Sequence, residues 1–177
     1  MRHGISVKLL AITAFAVSAF AGPSVPPVAG STANLVEQVR HELVMMPYYG
    51  IFDDLSFQVN GGTVTLLGEV WRPTLKDQAE RVVKALPGVT TVDNQIKVLP
   101  LSPYDNQIRI AAVRTIFGNA VLSRYSWGAR PPIKFIVENG TLTLKGAVSN
   151  QADRNLAGIL ARGIPGAFVV NNDLVVN

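Results

Sequence analysis

From position 55 hydrophobic and polar side chains alternate. Leu55, Phe57 and Val59 are separated by Ser56 and Gln58, the period-two rhythm of a strand with one buried face. Asn60-Gly61-Gly62 follows, and Asn and Gly accept positive φ at little cost, so a hairpin turn is predicted there. Val64, Leu66, Gly68 and Val70 then mark the returning strand. Beyond it the period lengthens. Leu75, Ala79, Val82, Val83 and Leu86 fall on one face of a helix, and Arg72, Lys76, Asp77, Glu80 and Arg81 fall mostly on the other. Pro87-Gly88 stops that helix, and Val89, Val92, Ile96 and Val98 supply a last strand. Because the helix is a crossover, the last strand is expected to run parallel to the second. A helix from Ala33 to Met46 is predicted ahead of the hairpin.

The whole pattern occurs twice. Phe57 to Val70 matches Phe135 to Val148 without a gap, at an offset of 78 (Gly146 against Gly68). The register continues through Leu86-Pro87-Gly88 and Ile164-Pro165-Gly166, then Val92-Asp93-Asn94-Gln95-Ile96 and Val170-Asn171-Asn172-Asp173-Leu174. A glycine at the same mid-strand point in both copies, Gly68 and Gly146, predicts a helix or backbone packed close against it. The second opening helix is expected from Asp105 to about Leu122. Its Val113-Arg114 aligns with Val39-Arg40 at an offset of 74, which makes the following loop four residues longer in the second copy. A repeat of this length sets the domain count at two. The fold class is α+β: two tandem αββαβ modules, each a three-stranded mixed sheet packed by two helices, over residues 34–99 and 104–177. Leu99-Pro100-Leu101-Ser102-Pro103 joins them as a short, stiff linker. Residues 22–33, which include Pro23, Pro26 and Pro27, form a Pro-rich tether with little to bury.

The first residues change the picture of where the chain resides. Arg2, His3 and Lys8 precede an uncharged apolar run from Leu9 to Phe20, and Ala19-Phe20-Ala21 is an A-x-A cleavage pattern. Residues 1–21 are therefore expected to be a secretory signal peptide and the mature protein to be periplasmic. The run is well short of the roughly 20 residues that span a bilayer, which argues against a retained anchor. No cysteine is present, so lipid attachment, disulfides and thiol chemistry are excluded and the modules must hold together by packing.

These residues resemble the BON domain, the family named for bacterial osmotically inducible and nodulation proteins. The resemblance rests on the V-x-N-G-x-V/L-T-L-x-G-x-V hairpin, the helix that ends in L/I-P-G-V/A and the closing V-x-N-x-I/L strand, all in order and twice. It covers about Asn34 to Leu99 and Tyr104 to Asn177. An export signal ahead of two such modules is similar to the double-BON periplasmic proteins linked to osmotic and envelope stress. The resemblance implies an αββαβ sandwich, a non-enzymatic role and association with phospholipid or other envelope components. Two features depart from the pattern: Asn60 stands one position earlier than Asn139, and the second copy's later helix carries less charge.

The residues offer little for catalysis. His41 is the one histidine left after cleavage, and nothing completes a metal site around it. Asp53-Asp54 reads as a capping or solvated loop, Pro131-Pro132 standing near the same place in the second copy. Serines and threonines have no base to activate them, and Gly61-Gly62 is a hairpin tip rather than a phosphate loop. No catalytic residue, metal or cofactor is expected, and neither is a small-molecule substrate.

What distinguishes the two copies then carries the functional reading. From Asn34 to Val98 six basic and eight acidic residues give a net of −2; from Tyr104 to Asn177 eight and four give +4. Basic charge favours anionic partners such as phospholipid headgroups, at roughly 1 kcal/mol per residue near a charged membrane. Cleavage leaves fourteen basic against twelve acidic side chains, a net of +2, and with export this disfavours nucleic acid. On the later helix Gln78, Glu80 and Arg81 become Leu156, Gly158 and Ile159, extending the apolar surface past one face. That surface is expected to pack against the first module, with a second chain or a bilayer as alternatives. Finally, the longer loop Arg124-Tyr125-Ser126-Trp127-Gly128-Ala129-Arg130 places polar-edged rings among arginines, a composition that suits a membrane–water interface; the alternative is that Trp127 folds back to cap the module's core. Arg124, Tyr125, Trp127, Arg130, Leu156 and Ile159 are the candidate lipid- or partner-binding residues. The expected partner is an anionic phospholipid or outer-membrane surface, with an envelope protein as the alternative.

Overall fold

The computed structural model describes residues 29–177; the expected signal peptide and residues 22–28 of the tether lie outside the described residues. Helix α1 (Ala29–Met45) opens the first module. It starts four residues ahead of the expected Ala33, because no proline follows Pro27 to interrupt a helical backbone. Strands β1 (Asp54–Asn60) and β2 (Thr63–Val70) form the hairpin, with Asn60 opposite Thr63. Helix α2 (Pro73–Lys84) crosses over to β3 (Thr91–Asn94) and β4 (Lys97–Val98), both parallel to β2. The sheet order β1-β2-β3 makes β2 central and leaves β1 at an edge.

The second module repeats this plan. Helix α3 (Pro103–Phe117) is capped by the Ser102 hydroxyl, which accepts from the Asp105 amide at 3.2 Å, with Pro103 pre-set in its first turn. It ends at Phe117 rather than near Leu122. The Asn119 side chain takes the Val121 and Leu122 amides and starts a 3₁₀ turn, Leu122–Ser126. Then come β5 (Ile133–Glu138), β6 (Thr141–Val148), α4 (Gln151–Arg162), β7 (Val169–Asn172) and β8 (Val175–Val176). The hairpin β5–β6 is antiparallel, and β7 and β8 run parallel to β6 as the crossover requires.

In each module the closing strand is broken in two by the motif asparagine. Asn94 turns its amide back to the Lys76 carbonyl at 3.0 Å and to Glu80 at 3.1 Å, while its oxygen takes the Ile96 amide. Asn172 does the same to the Arg154 carbonyl at 2.7 Å. Gly158 stands where copy one has Glu80, and a Cβ there would meet the Asn172 side chain at 2.6 Å. The mid-strand glycines answer to backbone, not to a helix. Gly68 and Gly146 both adopt φ of 106°, and a Cβ on either would strike the carbonyl of Asp54 or Pro132 on the adjoining strand.

The cores set the register between the two opening helices. Leu35, Val39 and Leu43 of α1 face β2 residues Val64, Leu66 and Val70 and α2 residues Leu75, Ala79 and Val83. Ile108, Ala112 and Ile116 of α3 occupy the matching place over Leu142, Leu144, Val148, Ala157 and Ala161. This alignment gives an offset of 73 (Leu35 to Ile108), one less than the Val-Arg pairs suggest, so α1 and α3 present different residues to their strands than sequence spacing implied.

Candidate functional site

The two modules contact each other, and the charge asymmetry is partly spent in that contact. Lys145 on β6 meets Glu69 at 2.8 Å and Asp54 at 3.2 Å, and Lys97 reaches across to Glu138 at 2.6 Å. Burial pulls the Lys145 pKa down, but the hydrogen bonds and negative charges of Glu69 and Asp54 together outweigh it and raise the pKa. Lys134 donates to the Gly50 carbonyl at 3.1 Å and sits over the Tyr49 ring; burial lowers its pKa against the pull of Asp53 and Asp54. Asp53 is buried, and both of its oxygens accept backbone amides, from Trp71 at 2.7 Å and Gly50 at 2.9 Å. Burial nevertheless raises its pKa. Arg109, fully buried on α3, lies against the Trp71 ring of the first module, and burial lowers its pKa. Four of the second module's eight cations are thus engaged toward the first module: Lys145, Lys134 and Arg109, and Arg130 through Met45.

Among the described residues no hydrogen bond or ion pair of helix α4 reaches the first module. The helix packs on α3 and on its own strands β6, β7 and β8. The expectation that Leu156 and Ile159 face the first module is therefore corrected. Leu156 packs against its own module's core, and Ile159 stands in solvent, 62% exposed. The reason is geometric: the crossover holds α4 on the helical side of its sheet, whereas the modules meet near the opposite face and the β5 edge.

The long loop divides into an anchored base and an exposed tip. Tyr125 is buried, which removes it from any surface role. Its hydroxyl donates to Asp153 at 2.5 Å and accepts the Ser149 amide at 2.9 Å. Asp153 also takes Arg124 and, at 3.1 Å, Asn150. The Arg124 pKa is raised by its bonds to Tyr125 and Asp153. Beyond this base Trp127 projects with 78% of its surface exposed, followed by Gly128 at φ 94°. Arg130 is exposed and touches Met45 Sδ at 3.2 Å. Of the six candidates, Trp127 and Ile159 are free surface, Arg130 is exposed but rests on Met45 of the first module, Arg124 is half committed, and Tyr125 and Leu156 serve the fold. His41 is exposed on α1.

A second candidate site was not visible in the sequence. In the second module α3 is fastened along β5. Asp105 takes the Asn139 and Gly140 amides at 3.0 and 2.8 Å, Arg109 donates to the Val137 carbonyl at 2.7 Å, and Phe117 packs edge-on to Phe135 at 5.3 Å. At the 73-residue offset these positions are Thr32, Val36 and Val44 in α1. None can reach as far. Ile133, Phe135 and Val137 are completely buried, while their counterparts Leu55, Phe57 and Val59 are only half-buried. Between α1 and β1 lies a groove of about 370 Å³ lined by Val36, Val44, Tyr49, Leu55, Phe57 and Val59, with Arg40 on its border.

The strand edges differ in the same way. In these registers the backbone groups of Phe135 and Val137, and of Phe57 and Val59, point away from the central strand. In the second module the Phe135 amide donates to the Ile51 carbonyl at 2.7 Å, and Ile51 and Phe52 pack on that module's core. The first module's Phe57 amide and Val59 carbonyl have no equivalent partner among the described residues.

Among the described residues no helix is long and apolar enough to cross a membrane, and no three His, Cys, Asp or Glu converge. A family model described as the BON domain matches residues 31–100 and again 107–177. Two solved structures of CdsD, a structural protein of the Type III secretion system of Chlamydia trachomatis, one described as its C-terminal domain, are similar at 18% and 17% identity. Each alignment covers 81% of this chain, with a TM-score of 0.31. The chain spans 64% and 61% of those chains, less than two thirds of either. Among curated proteins, none matches.

Proposed function

The chain belongs to the BON domain family in both halves, and from that premise we propose that it is a non-enzymatic, periplasmic protein of the cell envelope that docks on anionic phospholipid surfaces through its second module. The observation that carries this reading is Trp127, 78% exposed next to Arg130 on a loop whose base is fixed by Tyr125 and Asp153. An indole held in water on a rigid base gains by entering the headgroup region, where its ring is half apolar and its N–H still finds a partner. Arg114, Arg130 and Arg162 are exposed as well, and each contributes roughly 1 kcal/mol when brought near an anionic surface.

Co-sedimentation with vesicles tests this. Binding is expected to phosphatidylglycerol-containing vesicles and not to purely zwitterionic ones, and to weaken as salt shortens the Debye length. Trp127→Ala and Arg130→Glu are each expected to weaken it about tenfold, the equivalent of about 1.4 kcal/mol. Both positions are exposed, so the fold is expected to survive both changes. Binding that ignores lipid charge, or no binding, overturns the reading. One separate observation, the open groove of the first module, favours protein interaction as a second activity.

A further inference from the structure

We propose that the first module is a receptor for an extended, apolar polypeptide segment of a partner protein, which adds as a strand to the free edge of β1 and sets aliphatic or aromatic side chains into the α1/β1 groove. This site lies on the other module from the membrane-docking loop and stands or falls separately from it.

The chain itself displays what such an edge accepts. The segment Gly50-Ile51-Phe52 lies on the second module's β5 edge: the Ile51 carbonyl takes the Phe135 amide, and Ile51 and Phe52 pack on the core beneath. The first module presents the homologous strand with the homologous phenylalanine, Phe57, whose outward backbone groups have no partner among the described residues. A wider apolar groove lies beside it, because Val36 and Val44 replace Arg109 and Phe117. Strand addition answers both features at once: main-chain hydrogen bonds satisfy the edge and alternate side chains fill the groove. An acyl chain would fill the groove but offer no hydrogen bond to the Phe57 amide or the Val59 carbonyl, which would stay with water alone. Arg40, exposed at the border and paired among the described residues only with the equally exposed Glu37 at 3.7 Å, selects a segment carrying a carboxylate beside its apolar residues. The Ile51-Phe52 segment, continued by Asp53-Asp54, has that composition.

The probe is a free peptide with the sequence of residues 48–54, Tyr-Tyr-Gly-Ile-Phe-Asp-Asp, titrated into the isotope-labelled whole chain and followed by NMR. Saturable shifts are expected at the Phe57 and Val59 amides and the Val36 and Val44 methyls, with slowed exchange of the Phe57 amide. Val44→Phe copies the ring that closes the groove in the second module and is expected to weaken binding at least fivefold. Arg40→Glu, a surface change that spares the packing, is expected to weaken it several-fold. Shifts that are absent, that fall on the second module, or that survive both substitutions overturn the proposal. So does a groove already filled without peptide, whether by a second copy, read as dimer-like tumbling, or by residues 22–28, read as cross-peaks to the Val36 and Val44 methyls. Oleate reproducing the methyl shifts while the peptide produces none also overturns it, in favour of an acyl ligand.

Discussion

Helices α1 and α3 open homologous modules and lie over homologous strands, yet one is fastened to its sheet and the other is not. Three side chains make the difference. Asp105 holds the hairpin tip, Arg109 holds the strand edge, and Phe117 fills the space between helix and strand. Thr32, Val36 and Val44 leave α1 attached through its core stripe alone, Leu35, Val39 and Leu43. The lesson is that a shared core pattern fixes the fold, while the residues flanking that pattern decide whether a module is sealed or receptive. Gene duplication supplies two copies of the scaffold, and a few flanking positions suffice to give them different tasks.

The largest effect is expected from removing the anchor. Asp105→Ala deletes a carboxylate that accepts two backbone amides and leaves the buried Arg109 without its nearest helical carboxylate. Hydrogen bonds to a charged group are worth roughly 1.5–3 kcal/mol each, so a loss of about 3 kcal/mol or more is expected in urea unfolding. Thr32→Ala at the matching point of α1 is expected to change stability by no more than about 0.5 kcal/mol. Equal losses at the two sites would erase the distinction between the helices.

A smaller effect is expected from copying the groove into the second module. Phe117→Val gives α3 the residue found in α1 and removes the edge-on contact with Phe135. Large-to-small core changes at aromatic positions cost about 3–5 kcal/mol when taken to alanine. Valine keeps part of that volume, and Phe117 is only partly buried against the core, so a loss of about 2 kcal/mol is expected by thermal or urea unfolding. A change below about 0.5 kcal/mol would mean that the ring is not what closes the second module.

Much of this was legible in the sequence and the rest was hidden for physical reasons. Period-two and period-3.6 patterns located the hairpins and crossover helices, since both depend on local burial that repeats along the chain. The parallel closing strand followed from handedness and connection length. The groove did not follow, because Val36 and Val44 are ordinary helix residues, and their meaning appears only when α1 is aligned with α3 by burial rather than by the Val-Arg pair. The junction between modules was equally silent. Lys145 and Asp54 are 91 positions apart (145 against 54), and no periodicity connects such positions. Tyr125 misled for a related reason: a tyrosine beside arginines suits a membrane interface by composition, and only the Asp153 and Ser149 partners reveal its structural use.

The smallest expected effect concerns the junction that joins the two unlike modules, and it is read through pH. The Lys145 pKa is raised in the folded protein, so its contribution is fully present below the unfolded value of about 10.5 and is lost as pH climbs through the higher folded one. Lys134 has the opposite sign. Burial lowers its folded pKa, so its charged form costs stability, and that cost is lifted first as pH rises. Stability followed from pH 8 to 11.5 is therefore expected to hold or rise slightly and then to fall above about 10.5. Lys145→Met keeps the aliphatic stem and removes the titrating group. The late fall specific to the wild type is expected to shrink in this variant, and stability at neutral pH to drop by no more than about 1 kcal/mol, because the pair is only partly buried. If wild type and Lys145→Met lose stability in parallel above pH 10.5, the Lys145 bridge does not hold the modules together, and the junction rests instead on Ile51, Phe52 and the Arg109–Trp71 contact.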